Sequence, residues 1–76
     1  MQINVQLYGE FKKHAPGDQN DFTLKIEPGA TLADVLDTLS IPPDFHVALV
    51  NGRRVSKEAT FKRGDILVLF PAISGG

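Results

Sequence analysis

The first residues of the chain alternate between apolar and polar side chains. In QINVQLY, residues 2–8, Ile3, Val5 and Leu7 fall on one side of an extended chain and polar residues fall on the other. The turn-rich stretch HAPGDQND follows, and FTLKI, residues 22–26, then alternates in the same way. The pattern predicts two half-buried strands that form a β-hairpin with a long loop.

The period of the apolar positions changes after this hairpin. The apolar side chains now recur at the spacing of one helix face, at Leu32, Val35, Leu36 and Leu39. Thr31 can cap the first turn together with Asp34, and the pair Pro42-Pro43 prevents continuation of the helix. The sequence therefore predicts an amphipathic helix over residues 31–40.

The second half of the chain reads as strands again. HVALV, residues 46–50, precedes Asn51-Gly52, a pair suited to the positive φ angles of a tight hairpin turn, and a short basic strand follows. The last strand is ILVLF, residues 66–70. The complete order is that of the β-grasp architecture, an α+β fold with one main helix packed across one face of a mixed β-sheet. In it, the first and last strands lie side by side and parallel in the middle of the sheet.

Length and composition fit one small folded domain. The chain has 76 residues, 42% of them hydrophobic and 22% charged, with a net charge of -1. Such a profile is typical of an ordinary globular protein and lacks the excess charge of a disordered chain. We expect a β-grasp domain over residues 1–70 and an extended tail over residues 71–76.

Composition also argues against several classes of function. The chain has no cysteine, so it offers no disulfide, thiolate metal site or cysteine nucleophile. Its N-terminus does not resemble a secretion signal, and no apolar run approaches the roughly 20 residues of a membrane span, so we expect a cytoplasmic protein without a membrane partner. The balanced charge gives no reason to expect nucleic acid binding.

A local excess of basic residues lies between positions 51 and 65. Its members are Arg53, Arg54, Lys57, Lys62 and Arg63, against the acidic Glu58 and Asp65. Two interpretations are favoured over a nucleic-acid site, namely an ordinary solvated surface and a docking patch for an acidic protein.

The residue types that usually carry catalysis are scattered. His14 and His46 have no partners at metal-ligand spacing, and we expect both at the surface or at a strand edge. Asp34 and Asp37 are three residues apart, but Asp34 already has a role as a cap, and no serine lies in a nucleophile motif. We therefore expect no metal site and no self-contained active site, and hence a protein that is not itself an enzyme.

The chain ends on an uncharged segment. After the last strand come Pro71, Ala72, Ile73, Ser74, Gly75 and Gly76, and the last eleven positions carry no charge. A frayed terminus or an appended segment is the simple explanation of two final glycines, yet a frayed tail is usually more polar. Six extended residues reach about 20 Å, far enough to enter the active site of a partner.

The chemistry of this tail resides in its terminal carboxylate. Glycine at the last two positions leaves no side chain beside the reactive carbon, so the tail can thread a narrow tunnel. A carboxylate is an anion at neutral pH and a poor electrophile, and it requires activation, most simply as a mixed anhydride with AMP. The chain has no phosphate-binding loop, so ATP would be bound by a partner enzyme.

The last strand also predicts an apolar patch. If Leu67 and Leu69 point into the core, Val68 and Phe70 point out of the sheet, near Tyr8 on the neighbouring central strand. Two interpretations stay open. The patch is either covered in part by long neighbouring side chains or serves as a surface that binds a partner.

Several stretches together resemble a known family. VNG followed by a short strand, then RGDILVLFP and the final SGG, resemble the MoaD/ThiS family of β-grasp sulfur carriers, relatives of ubiquitin. The resemblance covers the whole chain by element order, and its specific part is GDILVLFPAISGG. The Phe70-Pro71 step looks most like MoaD, the small subunit of molybdopterin synthase, and VQLYGEF resembles the family's first strand.

The resemblance implies a cycle that runs on the Gly76 carboxylate. A MoeB/ThiF-type adenylating enzyme would activate it with ATP, and a sulfur donor enzyme would convert it to a thiocarboxylate. A MoaD-like carrier would then insert its tail into a MoaE-like large subunit and deliver sulfur for the molybdenum cofactor, with no cofactor bound to the carrier. The alternatives are a ThiS-like carrier for the thiazole of thiamin, a ubiquitin-like modifier joined to proteins through Gly76, and a binding module with a passive tail.

The same resemblance assigns roles to individual residues. Gly75 and Gly76 match the reactive end of the family, and Phe70 matches an outward aromatic residue used in docking. Tyr8 takes the corresponding aromatic position of the first strand, with Val68 beside it on the docking surface. Arg54 is the fourth residue expected to bind a partner, and it departs from the family's apolar preference after the hairpin turn. The tail lacks the arginines at the end of ubiquitin.

Overall fold

The computed structural model describes residues 1–15, 17, 19–42 and 46–71, with the backbone alone at His46. Its helices and strands are β1 (Gln2–Leu7), a 3-10 helix (Gly9–His14), β2 (Asp21–Lys25), α1 (Leu32–Thr38), β3 (His46–Val50), β4 (Arg53–Arg54) and β5 (Ile66–Pro71). Within the described ranges, no helix has the length and apolar character needed to cross a membrane.

The strands form one five-stranded sheet in the order β2-β1-β5-β3-β4. β1 and β5 lie in the middle and run parallel, with Val5 opposite Leu67 and Leu7 opposite Leu69. The other pairings are antiparallel. This is the β-grasp fold, and the predicted parallel contact between the first and last strands is confirmed.

The core lies between one face of the sheet and α1. Its fully buried side chains come from the two central strands and the helix, and they are Ile3, Val5, Leu7, Leu32, Val35, Leu36, Leu67 and Leu69. Burial of each contributes roughly 1.5–3 kcal/mol. The alternation predicted for β1 and β5 is therefore correct.

The helix begins as predicted but is shorter than residues 31–40. The Asp34 N–H donates to the Thr31 hydroxyl at 3.3 Å, and the Thr31 N–H donates to the Asp34 carboxylate at 2.9 Å, which forms the expected capping box. At the other end Ser40 has a φ of 58°, and the Ile41 N–H donates to the Leu36 carbonyl at 2.9 Å. This Schellman motif ends the helix before the prolines are reached.

The long loop predicted after β1 contains a 3-10 helix instead. Gly9 begins it with a φ of 60°, and Phe11 is buried under its first turn. The strand that was predicted to include Tyr8 ends at Leu7, although the Tyr8 N–H still donates to the Leu69 carbonyl at 3.0 Å. Strand β2 begins and ends one residue earlier than the predicted 22–26.

The predicted tight turn between β3 and β4 is confirmed. Asn51 and Gly52 have φ angles of 52° and 85°, as a two-residue hairpin of the primed type requires. Val50 lies opposite Arg53 across the turn. Arg53 and Arg54 form the short strand at one edge of the sheet.

Candidate functional site

The face of the sheet opposite α1, here called the outer face, carries the residues predicted to bind a partner. Because paired residues share a face, the register places side chains of all five strands together there. Its apolar part consists of Val47, Leu49, Ile66, Val68 and Phe70. Tyr8 lies on the same face, because its hydroxyl donates to the side chain of Gln6, which pairs with Val68. The outer face therefore brings together Tyr8, Val68 and Phe70, as the sequence predicted.

The apolar part of the outer face is only partly covered. Tyr8 is 44% exposed and Ile66 is 40% exposed, and they are the two large apolar side chains that the described residues leave most open to solvent. Val68 and Phe70 are half-buried. Neighbouring side chains thus cover part of the predicted patch, and a continuous apolar strip remains along β5.

Strand β3 widens this strip in a way that the sequence analysis missed. Val47 lies opposite Phe70 and Leu49 lies opposite Val68, and both are half-buried. The alternation in HVALV, with Ala48 buried on the other face, was the signal that could have revealed them.

Arg54 borders the outer face on the side of β4. It lies opposite Leu49, which in turn lies opposite Val68, and it is exposed. No side-chain hydrogen bond between described residues engages its guanidinium. The edge of an apolar surface therefore carries a positive charge that is available to a partner.

The tail begins at the end of the central strand. β5 continues through Pro71, so this residue, which was assigned to the tail, extends the sheet by one position opposite His46. A Cβ atom added to Gly9 would lie 3.0 Å from both Cγ and Cδ of Pro71. The 3-10 helix thus packs directly against the ring that starts the tail.

The beginning of β5 is held by a side-chain cluster that the sequence analysis did not predict. The Asn51 amide donates to the Asp65 carboxylate at 3.0 Å, and the Ile66 N–H donates to the Asn51 side-chain oxygen at 3.0 Å. The Lys62 N–H donates to the same Asp65 carboxylate at 2.8 Å. The tight turn therefore anchors the strand that leads to the tail.

The reactive end of the tail lies outside the described residues. This holds for Ala72, Ile73, Ser74, Gly75 and Gly76, whose proposed roles remain predictions. The structure describes the route up to Pro71, the last residue of the central strand β5.

The other polar candidates do not converge. His14 is half-buried, with its ring 6.2 Å from that of Phe11 in an edge-on contact, and Asp34 is occupied by the helix cap. Among the residues that the structure describes, no three His, Cys, Asp or Glu side chains lie close enough to hold a metal ion.

Comparison with protein families identifies the group to which this arrangement belongs. The model of the ThiS family matches residues 5–76, nearly the whole chain. The chain belongs to the ThiS family. Its members are small carriers rather than catalysts, and a comparison with curated proteins finds no match.

Solved structures share the fold of this ThiS-family chain at low sequence identity. SAMP1 from Haloferax volcanii is 23% identical with a TM-score of 0.76, and the match covers 100% of both chains. A complex of subunits 1 and 2 of molybdopterin-converting factor from Helicobacter pylori matches with 19% identity and a TM-score of 0.66, again over 100% of both chains. Caldiarchaeum subterraneum ubiquitin is 25% identical with a TM-score of 0.63, over 100% of this chain and 98% of that one.

Proposed function

We propose that the protein is a sulfur carrier of the MoaD type, the small subunit of a molybdopterin synthase. The observation that supports this most is the place where the tail begins. Pro71 ends the central strand of the sheet, next to an apolar outer face that no described helix covers. A partner that binds this face has the Gly-Gly end within reach of its active site.

The proposed chemistry takes place at the carboxylate of Gly76. A carboxylate oxygen attacks the α-phosphorus of ATP in the adenylating enzyme, and pyrophosphate leaves. A sulfide-level sulfur from the donor then attacks the acyl carbon, and AMP leaves with the oxygen it gained. The product is a thiocarboxylate, and because ATP is consumed we place the cycle in the cytoplasm.

The outer face would serve both stages of this cycle. The carrier has to bind an adenylating enzyme first and a large synthase subunit later, and each must receive the same tail. One surface adjoining the tail meets this requirement, since it orients the exit at Pro71 in the same way for both partners. The pairing of the H. pylori protein with its subunit 2 supports a large-subunit partner.

Two alternatives keep the same activated tail and change its acceptor. A ThiS-like carrier would donate sulfur for the thiazole of thiamin, which fits the family match. A protein modifier would instead form an amide between Gly76 and a lysine, as the likeness to SAMP1 and to an archaeal ubiquitin suggests. Lysine adducts that carry a Gly-Gly remnant would identify the modifier.

Docking through the outer face is tested by truncating Phe70. Phe70→Ala should raise the dissociation constant for the large subunit about tenfold or more, as expected for an aromatic anchor. Ile26→Ala is the matched control, because Ile26 is also half-buried and packs on the helix side of the sheet. Equal affinities for wild type and Phe70→Ala, measured by calorimetry, would remove Phe70 from the docking surface.

A further inference from the structure

The free edge of β2 is an open hydrogen-bonding surface. Within the part of the chain that the structure describes, β2 is a terminal strand of the sheet and pairs only with β1. Met1 and Ile26 exchange backbone hydrogen bonds of 2.9 and 2.8 Å at one end of this pairing, and the Leu7 N–H donates to the Asn20 carbonyl at 2.8 Å at the other. These contacts fix which residues of β2 face β1.

Backbone groups alternate in direction along an antiparallel strand. Phe22 and Leu24, like Ile26, therefore direct their N–H and C=O groups to β1. Asp21, Thr23 and Lys25 direct theirs to the open edge, and their side chains are exposed. Outside the β1–β2 ladder, no hydrogen bond between described residues uses the backbone of these three residues.

The sequence DFTLK along this edge is complementary to itself. We propose that β2 pairs with β2 of a second copy, antiparallel and centred on Thr23, so that the two sheets join into one. On the outer face Asp21 of each copy then lies opposite Lys25 of the other. Thr23 lies opposite its own counterpart, a favourable cross-strand pair.

Backbone pairing and charge favour this register over the registers shifted toward either end of β2. With Thr23 at the centre, the three residues whose backbone groups point to the open edge lie opposite the same three residues of the second copy. Every backbone N–H and C=O on this edge is then paired. A shift toward Asp21 leaves Lys25 outside the paired strands, and a shift toward Lys25 brings Asp21 opposite Glu27. Opposite charges directly across two strands stabilise the pairing, whereas like charges destabilise it.

The side chains of β2 that face α1 are suited to the same pairing. Phe22 would lie opposite Leu24 of the second copy in the close, non-hydrogen-bonded type of pair. The surface between α1 and β2 is not filled there, because two open grooves of about 710 and 500 Å³ lie between these elements, both bordered by Thr38. Phe22 and Leu24 line the smaller one.

The opposite edge of the sheet does not share this complementarity. β4 consists of Arg53 and Arg54 alone, and a second copy there would bring like charges together. The proposed pairing also leaves the outer face and the exit at Pro71 open. Since β5 of the two copies would run in opposite directions, the two tails would leave at opposite ends of the joined sheet.

Charge exchange tests the proposal. Five paired residues form a small interface, so we expect weak self-association that appears at high protein concentration. Sedimentation equilibrium and concentration-dependent amide shifts at residues 21–25 measure it. Asp21→Lys and Lys25→Asp should each weaken self-association about tenfold or more. An equimolar mixture of the two variants should recover it, because every cross-strand pair in the mixed dimer is again of opposite charge.

Cross-linking tests the register independently. The chain has no cysteine, so Thr23→Cys offers one thiol, and paired Cα atoms about 5.5 Å apart lie within disulfide range. Under mild oxidation this variant should dimerise faster than Ser56→Cys, an exposed control away from β2. A protein still monomeric at several millimolar, a mixture that does not recover association, or equal cross-linking of both variants would overturn the proposal. Asp21 and Lys25 would then be charges that protect the edge.

Discussion

Replacement of Gly9 by alanine tests how the start of the tail is held in place. Gly9 has a φ of 60°, and an added Cβ would lie 3.0 Å from Cγ and Cδ of Pro71. The proline ring is rigid, and Pro71 is the last residue of the central strand. The substitution should therefore both strain the backbone and push against the exit of the tail.

The two effects can be estimated separately. The left-handed backbone should lower the stability of the alanine variant by about 1–2 kcal/mol. The lower entropy of its unfolded chain should raise the stability by about 0.4–1 kcal/mol. The contact with Pro71 should add about 1–3 kcal/mol, as overpacking does elsewhere. The total is about 1–5 kcal/mol with a midpoint of about 3 kcal/mol, a large part of the roughly 4–11 kcal/mol expected for a domain of this size.

Thermal unfolding measures the difference against a matched control. Gly29 has a φ of 87°, and an added Cβ there meets no atom within 4 Å, so Gly29→Ala should lower the Tm by about 5 °C. Gly9→Ala should lower it by about 10–25 °C. In a Pro71→Ala background the ring contact is gone, and Gly9→Ala should then cost about as much as Gly29→Ala.

Equal losses of stability for the two glycine variants in the wild-type background would contradict a contact between Gly9 and the Pro71 ring. An unchanged cost of Gly9→Ala in the Pro71→Ala background would contradict it as well. In either case the 3-10 helix would not hold the exit through this contact.

Substitutions at three further positions, Arg54, Asn51 and Thr31, have expected outcomes. Arg54→Glu should slow association with the large subunit at low salt more than Arg63→Glu does, and stopped-flow rates that are equal for the two would contradict a role for this charge in docking. Asn51→Ala should lower the free energy of unfolding in urea by about 1–3 kcal/mol, because it removes two hydrogen bonds and strains the turn. A change near zero would show that Asn51 does not anchor the beginning of β5. Thr31→Ala should lower the free energy of unfolding by about 0.5–2 kcal/mol, and Thr31→Ser should lower it much less. Equal losses for the two variants would show that the capping box does not stabilise the fold.

The strands and their pairing were predictable because burial imposes a period of two on the sequence. Ile3, Val5, Leu67 and Leu69 are buried as the alternation indicated. The 3-10 helix was missed, since GEFKKH has one apolar side chain and therefore no period to read. The early end of the helix was missed for another reason, because it depends on a left-handed Ser40, a conformation that serine rarely adopts.

The candidate site was predictable where it depended on one strand. The alternation in β5 placed Val68 and Phe70 on the outer face, and its parallel partner placed Tyr8 beside them. The alternation in HVALV shows that Val47 and Leu49 share a face, but their place beside Val68 and Phe70 depends on the register between β3 and β5, which pairs residues about twenty positions apart. The anchor of Asn51 on Asp65 is likewise a contact at long range, 14 residues along the chain.

The central claim is that Gly76 carries sulfur, and intact-protein mass spectrometry tests it most directly. The chain is incubated with a MoeB/ThiF-type adenylating enzyme, ATP and sulfide, beside a variant that lacks Gly76. We expect a mass gain that matches replacement of one oxygen by sulfur in the full chain and none in the variant. An unchanged mass, in a mixture that converts a competent carrier of the same family, would contradict the proposed function.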